Sequence, residues 1–390
     1  MSSSVSVKNP ILNDSNIAYF DYAATTFMPK NVIDKWVEFH NTHSVFISRG
    51  NNTLSVNAMN DLLYAESVFR SFFDISDNYD FIYTKNVTEA INIVALSLQD
   101  YIKPLDIILV GPYEHHSNYL PWKYLCKKTG ALFCEMPLDD SGKVDYTYIS
   151  RYKKQIKIIS VSSVSNAFGY KLDIKKICNL IDSSTLLFVD ESQSCAHKSI
   201  YTNNKIAVHF IPSHKMYGPK NIALCSIKKD ILNLMNPVLL GGGMVESVGY
   251  NDKWLEGRMK FFAGTMDIGL IVAMAESCKY ISSISFSKIE HDDELYSNRI
   301  KSILHTNNCE IISSENSCAN HIISFKHKIL HAHDVCEYLS SKGVIIRCGN
   351  LCTQNSLMKI ETNAINRISL GIGVSNKDIN RLEKCLGEIK

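Results

Sequence analysis

The sequence predicts an α/β protein with a large, mainly parallel sheet and a smaller α/β domain after it. Short apolar runs alternate with stretches of helical spacing between residues 81 and 227. This alternation is typical of parallel strands covered by helices on both faces. The length of 390 residues is enough for two domains of ordinary size. After Gly264 and Thr265 long helical stretches replace the alternation, which indicates that a second unit begins there.

The first unit is predicted to contain seven strands, in the order of the chain. An extended arm precedes it, followed by a turn at Asp21–Thr26 and a helix over 59–73. The predicted strands are 81–84, 106–110, 131–134, 157–162, 185–190, 206–210 and 222–227, with helices over 88–98, 117–128 and 173–181. Ligands of such sheets bind beyond the carboxyl ends of the strands, so the residues that follow each strand are the candidate site.

The second unit is predicted to contain both helices and strands. Its helices are expected over 267–283, 288–305, 332–341 and 376–386, and its strands over 321–325, 344–347 and 367–370. The domain prediction is therefore an arm of residues 1–20 that packs with the small domain, a large ligand-binding domain over 21–265, and a small domain over 266–390.

Composition limits the classes of function. The chain is 45% hydrophobic and 21% charged with a net charge of +2, a globular balance that gives no reason to expect nucleic acid or an acidic partner. No apolar run reaches membrane-spanning length, and the first residues lack the features of a signal or transit peptide. The 12 cysteines contain no Cys-x-x-Cys pair, so we expect reduced thiols, no zinc site and a cytoplasmic location.

Lys215 stands at the end of a predicted buried strand, after Ser213 and His214 and before Gly218. A desolvated lysine loses its proton easily and can form a Schiff base with an aldehyde cofactor. Ser213 and His214 are placed to hold a phosphate of that cofactor. The alternative is an ordinary surface lysine.

Polar residues follow other predicted strands as well. Asp190 can pair with a protonated ring nitrogen or cap a helix, and Gln193 can reach the same ring or lie on the surface. Asn166 is a candidate at the end of its strand, or a turn residue. Thr88 opens a helix, where free backbone N–H groups favour a phosphate, or is a simple cap.

Two adjacent histidines, His115 and His116, follow the strand over 106–110. Neighbouring side chains point apart, and no third ligand is spaced to join them, so a metal site is not favoured. Stacking or proton transfer by one of the two is the better interpretation.

The second unit contributes a thiol and two guanidinium groups. Cys352 lies in a predicted loop, where the nearby Arg347 would favour its reactive thiolate. Cys348 competes with it in the same loop, and an inert thiol is the alternative for either. Arg367 is predicted to start a strand, where it can clamp a substrate carboxylate or pair with a structural acid.

Together these features resemble the cysteine desulfurases of the pyridoxal-phosphate-dependent class V aminotransferase superfamily. The resemblance runs from about residue 18 to the end and is greatest to the SufS-type (group II) desulfurase and selenocysteine lyase branch. It is carried by seven segments in the family's order: Phe20-Asp-Tyr-Ala-Ala-Thr-Thr26, Arg49-Gly-Asn-Asn-Thr-Leu-Ser55, Glu114-His-His-Ser-Asn118, Val189-Asp-Glu-Ser-Gln193, Ser213-His-Lys-Met-Tyr-Gly-Pro219, Ala263-Gly-Thr265 and Arg347-Cys-Gly-Asn-Leu-Cys352.

The resemblance implies the fold type I architecture of pyridoxal-phosphate enzymes and assigns the cofactor site. Lys215 would hold pyridoxal 5'-phosphate, Asp190 would pair with its ring nitrogen, Gln193 would bond the ring hydroxyl and His115 would stack on the ring. The phosphate would be bound by Thr88, Ser213 and His214, and by Thr265 from the other subunit of a homodimer.

The resemblance also implies a reaction. Asn166, Arg367 and Arg347 would hold the carboxylate of L-cysteine, and Cys352 would take its sulfur as a persulfide, leaving L-alanine. A SufE- or SufU-like acceptor would then carry the sulfur to iron–sulfur cluster or thio-cofactor synthesis. A selenocysteine lyase, a C–S lyase and an aminotransferase are the alternatives within the superfamily.

Several positions depart from the family pattern. Glu191 stands where a small residue is usual, and it either adds negative charge near the cofactor or points away. Phe262 and Met266 flank the Ala-Gly-Thr segment, Val87 replaces a small hydroxyl residue, and Asn350–Leu351 replace a common histidine pair. The changes before Cys352 bear on the choice of sulfur acceptor and substrate.

Overall fold

The computed structural model describes residues 17–45, 52–140, 142–312 and 318–389. Most of the predicted arm, residues 1–16, and the Arg49–Asn51 part of one family segment lie outside these residues. The end of the arm is described: strand β1 (Ala18–Tyr19) pairs in parallel with Val344–Ile345 of the second unit.

The helices and strands of the first unit alternate as the sequence predicts. After β1 they are α1 (Lys30–Thr42), α2 (Thr53–Phe73), β2 (Tyr79–Thr84), α3 (Val87–Ser97), β3 (Ile107–Val110), α4 (Leu120–Thr129), β4 (Leu132–Glu135), α5 (Thr147–Arg151), β5 (Ile156–Ser162), α6 (Ile174–Leu180), β6 (Leu186–Asp190), β7 (Ile206–Pro212), β8 (Ala223–Lys228), α7 (Lys229–Leu232), β9 (Val245–Ser247) and β10 (Lys253–Trp254).

Seven of these strands form one sheet in the order β2-β8-β7-β6-β5-β3-β4. The pairs from β7 to β4 are all parallel, and β8 runs against both of its neighbours. Every residue of β3, β6 and β7 is buried, because helices cover both faces of the sheet. The predicted seven-stranded, mainly parallel sheet is therefore confirmed.

The second unit has a smaller antiparallel sheet. Its elements are α8 (Ile268–Ile284), α9 (Phe286–Thr306), β11 (Cys309–Ile311), β12 (Ile322–His327), α10 (Ala332–Ser341), β13 (Val344–Ile345), β14 (Arg347–Gly349), α11 (Gln354–Met358), β15 (Ile365–Ser369) and α12 (Asn376–Gly387). The sheet order is β11-β12-β15-β14. The exact domain boundary at residue 265 stays a prediction.

Some element predictions were wrong in detail. The strand expected over 344–347 is divided into β13 and β14, which pair with different partners. The helix expected from Ser117 begins as a 3-10 turn, His116–Asn118, and becomes α-helical only at Leu120, beside Pro121. Helix α1 was missed because its buried apolar stripe is sparse, with Val32 and Phe39 as its buried residues.

No single helix of the described ranges is both long and apolar enough to span a membrane. The consecutive helices α8 and α9 meet the length and composition requirement only together, across a bend of 71°.

Candidate active site

A cavity of about 820 Å³ opens at the carboxyl edge of the large sheet and is closed on its other side by the second unit. The loops after β2, β3, β5, β6 and β7 reach it, as expected for a parallel sheet. All but two of the predicted site residues line it: Thr88, His115, Asn166, Asp190, Gln193, His214, Lys215, Arg347, Cys352 and Arg367.

Lys215 and Asp190 define the floor of the cavity. Lys215 ends the 3-10 turn that follows β7, and Asp190 ends the neighbouring strand β6. Burial lowers the pKa of the Lys215 ammonium, and the Asp190 carboxylate partly opposes that shift. Burial raises the pKa of Asp190, opposed by its hydrogen bond from Ser192 and by the charge of Lys215. The amine at this position can therefore lose its proton more easily than a free lysine.

The N-terminus of α3 forms another wall. Asn86 caps this helix by accepting the Glu89 N–H at 2.9 Å, and the Thr88 and Ser117 hydroxyls lie 2.7 Å apart beside it. Hydroxyls next to the free N–H groups of a helix start favour a phosphate. Ser117 lines the cavity but was not among the predicted site residues. Its position two residues after His115 in a family segment was the available signal.

Ser213 does not line the cavity, contrary to the prediction. Its side chain is buried behind the wall, and a Cβ added to Gly218 would lie 2.1 Å from its Oγ. The hydroxyl has no hydrogen-bond partner among the described residues. As the first residue of the 3-10 turn, Ser213 turns toward Gly218 while His214 and Lys215 reach the cavity.

Thr265 also lies outside the cavity of its own chain, on an exposed stretch before α8. Its assignment to the site of the other subunit stays a prediction.

His115 contributes a neutral ring to the cavity wall. Burial, together with the charge of Lys215, lowers the pKa of His115 to about 3. Its Nδ1 accepts the Ser117 N–H at 3.1 Å and lies 3.0 Å from the Ser117 Oγ. These contacts fix the ring orientation, and an uncharged imidazole is suited to stacking on a cofactor ring.

Arg367 is held at the rear of the cavity by two acceptors. It lies in the middle of β15 rather than at a strand start as predicted. Its Nη2 donates to Asp21 Oδ1 at 2.9 Å and its Nη1 to the Asn166 carbonyl at 2.9 Å. The Arg367 Nε is buried without a partner among the described residues, and the two bonds use only two of the five N–H groups of the guanidinium.

Arg347 lines the cavity and is paired with Asp21. Its Nε lies 3.2 Å from Asp21 Oδ2, so Asp21 is shared by two guanidinium groups. In the sequence Asp21 belonged to a predicted turn and to a family segment, but no role was assigned to it. Its role depends on contacts with residues far along the chain, which no local pattern shows.

Asn166 joins the loop after β5 to the loop of Cys352. It lies beyond the end of β5 at Ser162, and its Nδ2 donates to the Leu351 carbonyl at 2.8 Å. The thiol of Cys352 is at the exposed mouth of the cavity, and Cys348 also lines the cavity. A short helix, α11, follows Cys352 where a loop was expected.

Glu191 points away from the cavity. Its buried carboxylate accepts hydrogen bonds from Ser163 Oγ at 2.7 Å and from Ser194 Oγ. It also lies 3.3 Å from His209 Nδ1. Burial alone would raise its pKa, but the bond and charge of His209 and the serine hydroxyls outweigh it and lower the pKa. Of the two alternatives for this position, the structure selects the side chain that points away from the cavity, although its charge still acts to raise the pKa of the neighbouring Asp190.

One cluster of potential metal ligands occurs among the described residues, comprising His197, Asp293 and His321. The two imidazole rings stack with centroids 3.7 Å apart and planes at 9°. An ion in the plane of one stacked ring lies outside the plane of the other, so the nitrogen lone pairs do not converge. His197 Nδ1 lies 2.7 Å from Asp293 Oδ2, which makes the cluster a hydrogen-bonded histidine–aspartate contact with a stacked neighbour.

The fold and the lysine-bearing cavity define a class of protein. The chain belongs to the class V aminotransferase family, whose family model matches residues 18–382. Within that family its relatives include a probable cysteine desulfurase of Pyrococcus abyssi, 30% identical over 98% of this chain and 96% of the relative. The cysteine desulfurase of Haloferax volcanii is 30% identical over 94% of this chain and 88% of its own.

Solved structures agree with these relatives. The chain is similar to the apo structure of cysteine desulfurase from Thermococcus onnurineus, with a TM-score of 0.92, 26% identity and 99% of each chain covered. The fold is shared with the cysteine desulfurase CsdA from Escherichia coli, with a TM-score of 0.87, 22% identity and 97% and 95% of the two chains covered. Assignment to the SufS-type branch stays a prediction.

Proposed function

We propose that this chain is a pyridoxal-phosphate-dependent L-cysteine desulfurase that passes the sulfur through Cys352. The observation that carries the proposal is the meeting in one cavity of Lys215 and Asp190, from neighbouring strand ends, with Cys352 from the second unit. A lysine with a lowered pKa and a thiol at the same cavity suit a Schiff-base enzyme that also transfers sulfur. The relatives named as cysteine desulfurases support the same activity.

The residues of the cavity fit pyridoxal phosphate. Lys215 would bind its aldehyde carbon, Asp190 its ring nitrogen, Gln193 its hydroxyl and His115 its ring face. The α3 N-terminus with Thr88, Ser117 and His214 would hold its phosphate. When bound, the cofactor supplies an electron-withdrawing ring that stabilises negative charge at the substrate Cα.

Arg367 binds the substrate carboxylate in this proposal. Its guanidinium is fixed by Asp21 and Asn166 and lines the cavity, and its N–H groups outside these two bonds are the donors for a carboxylate. A pre-oriented guanidinium sets the direction of the amino acid in the cavity and so presents its side chain toward the mouth.

Lys215 and Cys352 carry out the proton and sulfur transfers. The neutral Lys215 amine takes the proton from the substrate Cα. The Cys352 thiolate attacks the substrate sulfur, forming an S–S bond while the S–Cβ bond breaks and its electron pair stays with the carbon. Protonation of that carbon and return of the proton from Lys215 to Cα give L-alanine, and Cys352 keeps the sulfur as a persulfide.

A homodimer and a sulfur-accepting protein complete the proposal. Large apolar side chains are exposed on α2 and on the β8–β10 side of the molecule: Leu54, Val56, Met59, Leu63, Tyr64, Leu239, Leu240, Val248 and Tyr250. We assign these exposed apolar side chains to contacts with a second copy that brings Thr265 to the site. The exposed Cys352 suits transfer to a SufE- or SufU-like acceptor.

Product analysis with the purified chain tests this proposal. With L-cysteine and a thiol reductant that reduces the persulfide we expect L-alanine and sulfide, and borohydride should trap the cofactor on Lys215 of a yellow protein. Pyruvate in place of alanine would indicate a C–S lyase, and alanine formed only from selenocysteine would indicate a selenocysteine lyase. A colourless protein that takes up no pyridoxal phosphate would refute the cofactor assignment.

A further inference from the structure

The Cys352 segment, residues 350–359, rests on the residues that follow β3. The four hydrogen bonds that join them are His116 N–H to the Cys352 carbonyl at 2.8 Å, Gln354 N–H to His116 Nε2 at 3.2 Å, Thr353 Oγ1 to the Glu114 carbonyl at 2.8 Å, and Lys359 Nζ to the Pro112 carbonyl at 2.7 Å. His116 takes part in two of them, one through its backbone and one through its ring. It therefore contacts the chain on both sides of Thr353.

The backbone around the thiol has an unusual conformation. Leu351 and Cys352 have φ angles of 52° and 56°, in the left-handed region that non-glycine residues seldom adopt. Such angles persist only where surrounding contacts hold them. The Leu351 side chain is buried and its carbonyl accepts a bond from Asn166. The exposed Cys352 side chain provides no such anchor, so this residue depends on bonds made by its backbone and its neighbours.

The ring of His116 accepts a hydrogen bond from a backbone N–H of the Cys352 segment that finds no acceptor within the segment. Gln354 is the first residue of α11, so its N–H has no acceptor within that helix. Thr353 precedes the helix and donates its hydroxyl to the Glu114 carbonyl, and its side chain makes no cap bond to α11. The His116 Nε2 supplies the missing acceptor from the large domain.

We propose that His116 is a positioning residue for Cys352: its ring accepts the Gln354 N–H and keeps the Cys352 segment seated over the cavity, with the thiol facing the substrate sulfur. The inference deepens the proposed function and rests on it for the role of the thiol. Since His115, the preceding residue, lines the cavity, the two histidines form a direct chain link between the cofactor wall and the thiol segment. Burial lowers the pKa of His116, so its ring is neutral and can accept a bond at neutral pH.

Three variants separate the ring acceptor from the rest of the side chain. His116→Gln places an amide oxygen near the position of Nε2, whereas the shorter amide of His116→Asn reaches only the position of Nδ1, and His116→Ala removes the acceptor. In the holoenzyme, we expect amide hydrogen exchange of the peptide containing Gln354 to be roughly three- to tenfold faster in the Ala and Asn variants than in the native chain. The Gln variant should stay within about twofold, given the same magnitude for one hydrogen bond.

Steady-state kinetics with L-cysteine provide the readout that a purely structural role would not change. We expect kcat to fall roughly three- to tenfold in the Ala and Asn variants with KM unchanged, since substrate is still bound but the thiol is poorly placed. Gln should restore kcat. The visible absorbance of the bound cofactor should be the same in all variants.

The inference is overturned if exchange in His116→Ala equals that of the native chain, or if Gln behaves like Ala. It is also overturned if exchange rises while kcat does not change. If His116→Ala fails to fold, the Asn and Gln pair decides the question. Failure of the proposed function would show separately, as undiminished sulfide release by Cys352→Ser with the exchange pattern of the His116 variants intact.

Discussion

Arg367 and Asp21 form a buried ion pair at the rear of the cavity, with Nη2 2.9 Å from Oδ1. The pair joins residues that are 346 positions apart and belong to opposite ends of the described chain. Removing one partner of such a pair leaves a buried charge without compensation. Asp21 therefore fixes the group that we assign to the substrate carboxylate.

Arg367→Lys keeps the charge but removes the planar fork. A lysine ammonium cannot bond Asp21 and the Asn166 carbonyl and also offer a directed donor to a ligand. We expect KM for L-cysteine to rise about tenfold or more, while cofactor absorbance is retained. Initial-rate kinetics check this, and a KM within about twofold of the native value would show that the carboxylate binds elsewhere.

Glu191 supports the fold rather than the chemistry. Glu191→Ala leaves His209, Ser163 and Ser194 without their shared acceptor, and we expect a loss of roughly 2–4 kcal/mol in the free energy of unfolding. Denaturant unfolding measures the loss, with the exposed Glu290→Ala on α9 as a matched control that should change stability little. Retained cofactor absorbance is expected in the folded variant. Loss of cofactor without loss of stability would place Glu191 in the site instead.

Glu114 makes the stability depend on pH near neutrality. Burial raises its pKa from 4.5 to about 7, although Ser162 and Asn118 donate hydrogen bonds to it. A raised carboxyl pKa in the fold means that the contribution of Glu114 is complete below about pH 4.5 and is lost as the pH rises through about 7. Glu114→Gln cannot titrate, so its stability relative to the native chain should increase from pH 5 to pH 8, by at most roughly 3 kcal/mol.

Paired urea titrations of the native chain and Glu114→Gln across this pH range measure that difference. A difference that does not change with pH, or that decreases as the pH rises, would contradict the raised pKa.

Site residues that directly follow a strand are easier to predict from the sequence than site residues that reach the cavity from other parts of the chain. Lys215, Asp190 and Thr88 were predicted to face one ligand because the carboxyl ends of parallel strands meet at one edge. Ser213 shows the limit of that rule. Adjacent residues in a 3-10 turn face different directions, and Ser213 packs against Gly218 of the same loop while His214 and Lys215 reach the cavity.

The second unit was harder to place against the first. Its contribution to the cavity depends on long-range pairs such as Asn166 with Leu351 and Asp21 with Arg347, which leave no local pattern. Helix α11 spans only Gln354–Met358, too short for an apolar period to be recognised. Cys352 was predicted as a site residue, but the hydrogen-bonded segment that holds it over the cavity was not predicted.

Replacement of one atom at Cys352 tests the central claim most directly. Cys352→Ser should bind pyridoxal phosphate with the native absorbance and accept L-cysteine, yet form no persulfide and release almost no sulfide, because a hydroxyl is a far poorer nucleophile toward sulfur. Cys348→Ser, in the same cavity, is the matched control and should retain activity. The measurement is sulfide and alanine production by both variants beside the native chain. Native rates from Cys352→Ser would contradict sulfur transfer through this thiol.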